Sequence, residues 1–226
     1  MIAKKELENL LQKDDIKSTL LSFSYEQLAE MFGVDFAKTK DYNQNNPHHC
    51  FDLLEHSISA LESLDSSDML LKVATLFHDV GKPSVAQQKH NRTVFYGHAL
   101  ESAKIVENIL EEIGFDEAEV EYICFFIKHH DDFISFKLPG EIDSSNPYLK
   151  EISEQTVQQI IAKTIEDAKT NGEYVPEVAD FILLLDLCIA DALAQSDVVI
   201  QENRVIDSKE NKLLRLRNIK NIIKNL

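Results

Sequence analysis

The sequence predicts an all-α protein, and its composition and its apolar spacing both support that fold class. The chain has 226 residues with only six glycines, five prolines and no tryptophan, which disfavours a turn-rich sheet protein. Apolar residues recur at spacings of three and four, as on one face of a helix, and strict alternation is scarce. A chain of this length fits one domain, or one domain with a small extension, and buries a sizeable core.

The N-terminal part of the chain predicts short helices, a loop and a longer helix. Leucines recur at helical spacing within residues 1–34, which indicates one or two short helices. The polar residues 38–47 predict a loop. Pro47 suits the first turn of the next helix, and that helix would carry His49 and His56 on one face.

The middle of the chain predicts helices on both sides of an irregular or hairpin-like excursion. An apolar helix starts near Met69 and is ended by Gly81 and Pro83, which commonly terminate helices. Residues 84–96 form the excursion. The next helix ends at Gly114, and the helix after it ends in two adjacent histidines.

The remainder of the chain predicts a long loop and further helices. Residues 131–152 have little regular pattern and are a candidate lid or substrate-recognition loop, with an ordinary surface connection as the alternative. Helices are expected near residues 153–170 and from about Pro176. Residues 201–226 carry seven Lys or Arg and three acidic residues, and their apolar stripe predicts a helix that packs on the domain or on a second copy.

Asp79 is the most informative residue, because it lies directly after His78 in an otherwise apolar helical run. Aspartate is almost never fully buried unless something pairs with it. A divalent metal ion is one such partner, and the adjacent imidazole would be a second ligand. For this dipeptide alone, the alternative is a helix end whose two polar side chains face water or cap a neighbour.

Several more histidines and one aspartate occur in comparable helical contexts. Asp191, for example, shares a predicted helix face with Leu184 and Cys188. The set, in chain order, is His56, His78, Asp79, His98, His129, His130 and Asp191. Imidazoles and carboxylates suit Fe, Mn, Ni, Co or Zn, and carboxylates also suit Mg.

The order of these residues resembles the HD superfamily of metal-dependent phosphohydrolases, and most closely the HD domain of bacterial CCA-adding tRNA nucleotidyltransferases. The resemblance covers about residues 25–200. The matching segments are His49-Cys50-Phe51-Asp52-Leu53-Leu54-Glu55-His56-Ser57, Leu76 to Pro83, Phe95 to His98, His129-His130 and Ala190-Asp191. No Gly-rich loop with a following Asp-x-Asp precedes this region, so we do not expect nucleotide addition to tRNA.

The resemblance implies a fold and a domain organisation. The fold would be an HD-domain helical bundle with the metal site between helices. The predicted parts are an N-terminal helical extension (1–46), the HD metal-binding domain (47–200) and a basic C-terminal helix packed on that domain (201–226).

The resemblance also implies ligands for one or two divalent ions, and it makes Asp79 and His78 the candidate catalytic residues. The implied set for one ion is His56, His78, Asp79 and Asp191. Three further histidines exceed the needs of one ion and suggest a second: His98, His129 and His130. The last two point about 100° apart on a helix, and we expect His129 or both to reach the site. Two ions about 3.5–4 Å apart can clamp a phosphoryl group.

Three other residues are candidate substrate contacts. His49 shares the predicted helix face of His56, so it suits a substrate contact or a support for a ligand. Lys82 follows the metal motif and suits a phosphate oxygen, with a solvated lysine at a helix C-terminus as the alternative. Arg92 fits a phosphate contact or an ordinary surface position equally well.

The charge and composition exclude several classes of function. A formal net charge of −16 argues against a large nucleic-acid-binding face, but not against a small nucleotide in a metal-lined pocket. No apolar run reaches the length of a membrane span, and the N-terminus has no signal-peptide core. Three widely spaced cysteines in apolar contexts suggest reduced thiols, and we expect a cytoplasmic protein that can form a homodimer.

These observations favour an enzyme that hydrolyses a phosphomonoester or phosphodiester of a nucleotide-like compound. A non-catalytic regulatory HD domain that binds a metal or a nucleotide is the alternative. A purely structural helical module, with the histidines in its core, is a third possibility that failure to bind any metal would favour.

Overall fold

The structure is a computed structural model that describes residues 1–137, 150–201 and 204–226. These residues are mostly helical, which confirms the predicted fold class. The helices are α1 (Lys4–Leu11), α2 (Ile16–Ser22), α3 (Tyr25–Phe32), α4 (Val34–Ala37), α5 (Leu53–Ser63), α6 (Met69–Phe77), α7 (Lys82–Val85), α8 (His98–Ile113), α9 (Glu117–His129), α10 (Glu154–Asn171), α11 (Val178–Leu193) and α12 (Lys209–Lys224). The strands are β1 (Gln87–Lys89), β2 (Arg92–Val94), β3 (Phe136–Lys137), β4 (Lys150–Glu151), β5 (Val198–Gln201) and β6 (Arg204–Ser208).

The centre of the bundle is α11, an apolar helix that contacts α5, α6, α9 and α12. Helix α6 in turn packs on α5 and α9, and α8 packs along α9. Phe181, Leu184 and Leu187 of α11 are buried in the core. The elements that meet around α11 are therefore the ones that can bring distant side chains together.

The N-terminal helices belong to the same buried core as the rest of the bundle. Phe32 and Phe36 contact the ring of Phe77 at centroid distances of 5.8 and 4.9 Å. All three aromatic side chains are fully buried. Burying such a ring contributes roughly 1.5–3 kcal/mol, so these helices hold the end of α6 in place.

The basic C-terminal helix α12 lies along α11 and α10. It buries an apolar stripe at helical spacing, formed by Leu213, Leu216, Ile219 and Ile223. Lys220 of α12 also forms an ion pair with Asp186 of α11. The stripe seen in the sequence thus packs against this chain's own helices.

Two helices near the site have bounds that differ from the predicted ones. The predicted start near Pro47 is wrong, because α5 begins at Leu53 with Asp52 as its N-cap, whose side chain accepts from the Glu55 amide at 2.9 Å. The run from Met69 does not continue to Val80, because α6 ends at Phe77. His78 and Asp79 consequently lie in a turn, where successive side chains can point into one site.

Gly81 lets that turn approach the next helix closely. A Cβ at Gly81 would lie 2.5 Å from the backbone nitrogen of Ser102 in α8. The amide of Gly81 donates a hydrogen bond of 2.9 Å to the Ser102 hydroxyl. The glycine is required because α8 backbone occupies the space that a side chain needs.

Short pairs of strands interrupt the helices. β1 and β2 pair antiparallel, which agrees with the hairpin-like excursion expected over residues 84–96. β5 and β6 also pair antiparallel, where the sequence analysis assigned no strand. The β-branched run Val198-Val199-Ile200 is the signal for β5 that was missed.

The predicted lid is described only in part. Of residues 131–152, the segment 138–149 lies outside the described residues. β3 and β4, on either side of it, pair parallel. Within the described part of the chain, every helix is too short or too polar to cross a membrane.

Candidate metal centre

The His and Asp side chains converge where α5, the turn after α6, the start of α8, the end of α9 and α11 meet. His56 comes from α5, and Asp191 from the last turn of α11. His78 and Asp79 come from the turn after α6. These elements span residues 53 to 193 of the chain, so the site depends on the packing of the whole bundle.

The first group of donor atoms surrounds one oxygen of Asp79. The Nε2 atoms of His56 and His78 lie 3.3 and 3.2 Å from Asp79 Oδ2. Asp191 Oδ1 adds a second carboxylate, 2.9 Å from His56 Nε2 and 3.8 Å from His78 Nε2. All four side chains are buried. Each of His56, His78 and Asp79 offers a ligand atom within 4.8 Å of the others.

The second group lies on the opposite oxygen of the same aspartate. His98 Nε2 and His130 Nε2 are 3.2 and 3.6 Å from Asp79 Oδ1, and 3.2 Å from each other. Asp131 approaches this group from the cavity side, with Oδ2 3.2 Å from His98 Nε2. Asp79 therefore lies between two groups of histidines, one on each of its carboxylate oxygens.

The hydrogen bonds of the four histidines fix which ring nitrogen faces the centre. The Nδ1 atoms of His78, His98 and His130 each lie 2.7–2.9 Å from the carbonyl oxygen three residues earlier. Nδ1 of His56 lies 3.3 Å from the carbonyl of Ala194. A carbonyl only accepts, so each Nδ1 carries the proton and each neutral ring presents the Nε2 lone pair. Metal-binding histidines are commonly oriented in this way.

Several of the inward-facing atoms lack any hydrogen bond among the described residues. They are His56 Nε2, His78 Nε2, Asp79 Oδ1 and Asp191 Oδ1. A buried polar atom without a partner costs about 1–3 kcal/mol, so four of them in one centre indicate a bound ligand. Imidazole nitrogens and carboxylate oxygens in this arrangement fit a divalent cation.

Comparison with known proteins agrees with this geometry. Residues 48–195 match the model of the HD domain family. The chain belongs to the HD domain family. That match covers more than half of the chain and contains every residue of the two histidine groups. HD domains bind divalent metals and form a superfamily of metal-dependent phosphohydrolases.

A curated relative matches a smaller part of the chain. The A-adding tRNA nucleotidyltransferase of Deinococcus radiodurans is 30% identical over 131 residues, which make up 55% of this chain. The same residues make up 30% of the relative, so this chain spans less than a third of that protein's length in the match. The predicted resemblance to the HD domain of tRNA nucleotidyltransferases is confirmed.

The electrostatics of this HD centre favour positive charge at its middle. Burial works against a charged His78, but Asp79 and Asp191 overcome it and raise the pKa of this imidazole to about 10. Burial would likewise raise the pKa of Asp79, but His78 and Lys82 hold the pKa of that carboxyl well below its usual value. The carboxylates therefore attract either protons or a cation, and a bound divalent ion would replace the protons.

Lys82 is part of the HD centre rather than a solvated lysine. It is 4% exposed, and its Nζ lies 2.6 Å from Asp79 Oδ2. It also donates to Gln44 Oε1 at 3.1 Å and lies 3.4 Å from His49 Nε2. Lys82 thus neutralises part of the Asp79 charge and links that aspartate to His49.

His49 reaches the HD centre by a different route from the predicted one. It precedes α5 and does not share a face of that helix, yet its ring contacts the His56 ring at a centroid distance of 4.9 Å. Arg92, in β2, lines the wall of the cavity next to the centre. Both residues lie where a substrate could meet them.

The structure brings His130 to the centre and places His129 elsewhere. His129 stacks on Phe125 at a centroid distance of 5.2 Å, and its Nδ1 lies 2.7 Å from Asp132 Oδ2. The two side chains point in different directions because they are adjacent at the end of α9. Ile123 and Ile127 share the buried face of the helix with His130. This apolar spacing is the sequence signal that assigns His130, and not His129, to the buried side.

A cavity of about 750 Å³ opens onto the HD centre. Asp79, His98, His130 and Asp191 form part of its lining. Other lining residues were not singled out from the sequence, namely His48, Gln195, Arg204, Lys212 and Arg215. They come from segments far apart in the chain, and only the fold places them beside the histidines.

Proposed function

We propose that this chain is a metal-dependent phosphohydrolase that acts on a phosphomonoester or phosphodiester of a nucleotide-like substrate. The observation that carries the proposal is the set of buried donor atoms, unpaired within the described residues, beside a 750 Å³ cavity. Ligand sites of small molecules typically have this size. The membership of the HD family supports the reaction class.

The geometry supports a division of the ligands between two ions. His56, His78, Asp79 and Asp191 would hold one ion, and Asp79, His98 and His130 would hold the second. Fe, Mn, Ni, Co, Zn and Mg all fit parts of this donor set. Such ions supply Lewis-acid polarisation of a phosphoryl oxygen and an activated water at neutral pH.

The chain's own side chains position the reactants. Asp79 and His78 would act as catalytic residues through the ions that they hold, and Lys82 keeps Asp79 oriented by its 2.6 Å contact. His56 and His78 are fully buried, so water is excluded from that side of the centre. Substrate would enter from the cavity side, where His49 and Arg92 lie.

The cavity also supports a small organic substrate. Phe95, Phe133 and Ile134 line it alongside the polar groups, so one part of the wall suits an apolar or aromatic moiety. With a net charge of −16, we expect a small phosphorylated partner rather than a long nucleic acid, and no membrane partner. We also propose a cytoplasmic location and a possible homodimer.

The test is metal analysis followed by a hydrolysis screen on the full chain. Metal content would be measured on untagged protein by plasma mass spectrometry. Activity would then be measured with p-nitrophenyl phosphate, bis-p-nitrophenyl phosphate, nucleoside monophosphates and cyclic nucleotides, using each candidate metal. We expect one or two ions per chain and hydrolysis that Asp79→Ala abolishes.

A matched control is Asp132→Ala, which removes a carboxylate that contacts His129 outside the centre. This variant should keep both metal and activity. Bound metal without hydrolysis of any phosphate ester would support the regulatory alternative and reject an enzyme. Absence of metal after reconstitution with every candidate ion would reject both.

A further inference from the structure

Besides Lys82, four cationic side chains of this acidic chain line the cavity. Arg92, Arg204, Lys212 and Arg215 all line it, on β2, β6 and α12. Arg215 forms a buried ion pair with Asp207 at 2.5 Å. In a chain of net charge −16, such a concentration of cations at a cavity indicates an anionic ligand.

Lys212 is partly buried and differs from the buried cations Lys82 and Arg215, because no carboxylate among the described residues lies within ion-pair distance of it. Its Nζ donates to Gln195 Oε1 at 2.6 Å and to His48 Nδ1 at 3.1 Å. An ammonium group has three donors, so two neutral acceptors leave one donor and the full positive charge available. Lys82, by contrast, contacts Asp79 directly.

His48 adds a neutral donor to the same wall. Lys212 can only donate, so His48 Nδ1 accepts and the ring proton lies on Nε2. Burial, reinforced by Lys212 and Arg92, lowers the pKa of His48 to about 3. Burial also lowers the pKa of Lys212. An anion in this wall would offset the burial cost of the ammonium charge.

This wall is connected to the metal centre but separate from it. Gln195 accepts from Lys212 and donates through Nε2 to Asp191 Oδ2 at 3.0 Å. A whole carboxamide group therefore lies between Lys212 and the candidate metal ligand. A phosphoryl group held at Asp79 and a second anion at Lys212 would occupy different parts of one cavity.

We propose that His48, Lys212 and Arg92 form a second anion subsite, which binds a phosphate group of the substrate other than the one that is hydrolysed. The substrate class is then a nucleotide or related ester with at least two phosphate groups. The identity of the ligand as a substrate rests on the proposed phosphohydrolase function, whereas anion binding at Lys212 does not.

The first test measures binding of inorganic phosphate to the full chain after chelation of metals and dialysis, by titration calorimetry. Lys212→Met should weaken binding by at least about tenfold, the effect of losing one charged hydrogen bond. Lys212→Arg should retain most of the affinity for phosphate. Lys224→Met is the matched control, because it removes the same charge from an exposed position of the same helix.

The second test compares hydrolysis of adenosine 3′,5′-bisphosphate and adenosine 5′-monophosphate by metal-loaded protein. Lys212→Met should raise KM for the bisphosphate by at least about tenfold, and its effect on kcat/KM for the monophosphate should be much smaller. Thermal unfolding would verify that the variant is folded, and Lys212→Arg provides a second folded variant.

The two tests separate the possible failures. Phosphate binding that is equal in wild type and Lys212→Met would overturn the subsite. An equal loss of kcat/KM for both nucleotides would overturn its assignment to a second phosphate. Phosphate binding that depends on Lys212, with no hydrolysis of either nucleotide, would keep the anion subsite and overturn the proposed function.

Discussion

His98 and His130 face each other through their Nε2 atoms at 3.2 Å, while both Nδ1 atoms lie against backbone carbonyls. Two lone pairs at this distance repel unless a proton or a cation lies beside them. Asp79 Oδ1 is within 3.6 Å of both rings. This arrangement is the strongest structural argument for a second ion.

The first prediction separates the two adjacent histidines of α9. We expect His130→Ala to lower the metal content by about one ion per chain, because the structure places this ring beside Asp79. His129→Ala should leave the metal content unchanged, because its partners are Phe125 and Asp132. Elemental analysis of both purified variants decides this. Equal metal loss in the two variants would contradict the arrangement.

The second prediction concerns removal of the metal. Chelation should lower the thermal unfolding temperature, since a bound ion stabilises the folded state by about 2.7 kcal/mol at one hundred times its Kd. Its loss leaves Asp79 and Asp191 buried close together. Scanning calorimetry before and after chelation measures the shift. Asp79→Ala serves as the control, and a chelation shift of wild-type size in that variant would disprove the site.

The third prediction concerns Lys82, whose ammonium group contacts Asp79 in a buried position. Lys82→Met should destabilise the metal-free protein by about 3–5 kcal/mol, the usual cost of breaking a buried ion pair. With metal bound the cost should be smaller, because the ion also compensates Asp79. Urea unfolding under both conditions measures the difference.

A matched lysine controls that experiment. Lys128 pairs with Glu173 in a more exposed position, so Lys128→Met should cost about 1 kcal/mol or less and show no dependence on metal. An equal loss of unfolding free energy in the two lysine variants would show that the contact of Lys82 with Asp79 does not stabilise the metal centre.

The fourth prediction concerns the close approach of the Gly81 turn to α8. Gly81→Ala should destabilise the fold by about 1–3 kcal/mol, because the new Cβ meets the Ser102 backbone nitrogen at 2.5 Å. It should also lower metal content, since the shifted turn carries His78 and Asp79. Denaturant unfolding and elemental analysis test both effects. Exposed Ser84 in the following helix α7 is the control, and Ser84→Ala should change the stability by no more than about 0.5 kcal/mol.

Much of the fold followed from local patterns. Apolar spacing predicted the helices that became α8 and α11, and Gly114 does end α8 in a left-handed conformation. The predicted helix ends were wrong where a capping side chain, rather than the apolar spacing, sets the first helical residue. Asp52 starts α5 six residues after Pro47, because its side chain satisfies a free amide of the first turn.

The sequence by itself determined the helical class, the family and the order of the His and Asp residues, because these depend on residue types and short spacings. Only the tertiary structure decided that His130 rather than His129 faces Asp79, since the rotation of α9 is set by its contacts with α6 and α11. It also decided that Lys212 of the basic tail reaches His48, 164 residues away along the chain. Long-range packing of α12 on α11 controls that contact, and no local pattern encodes it.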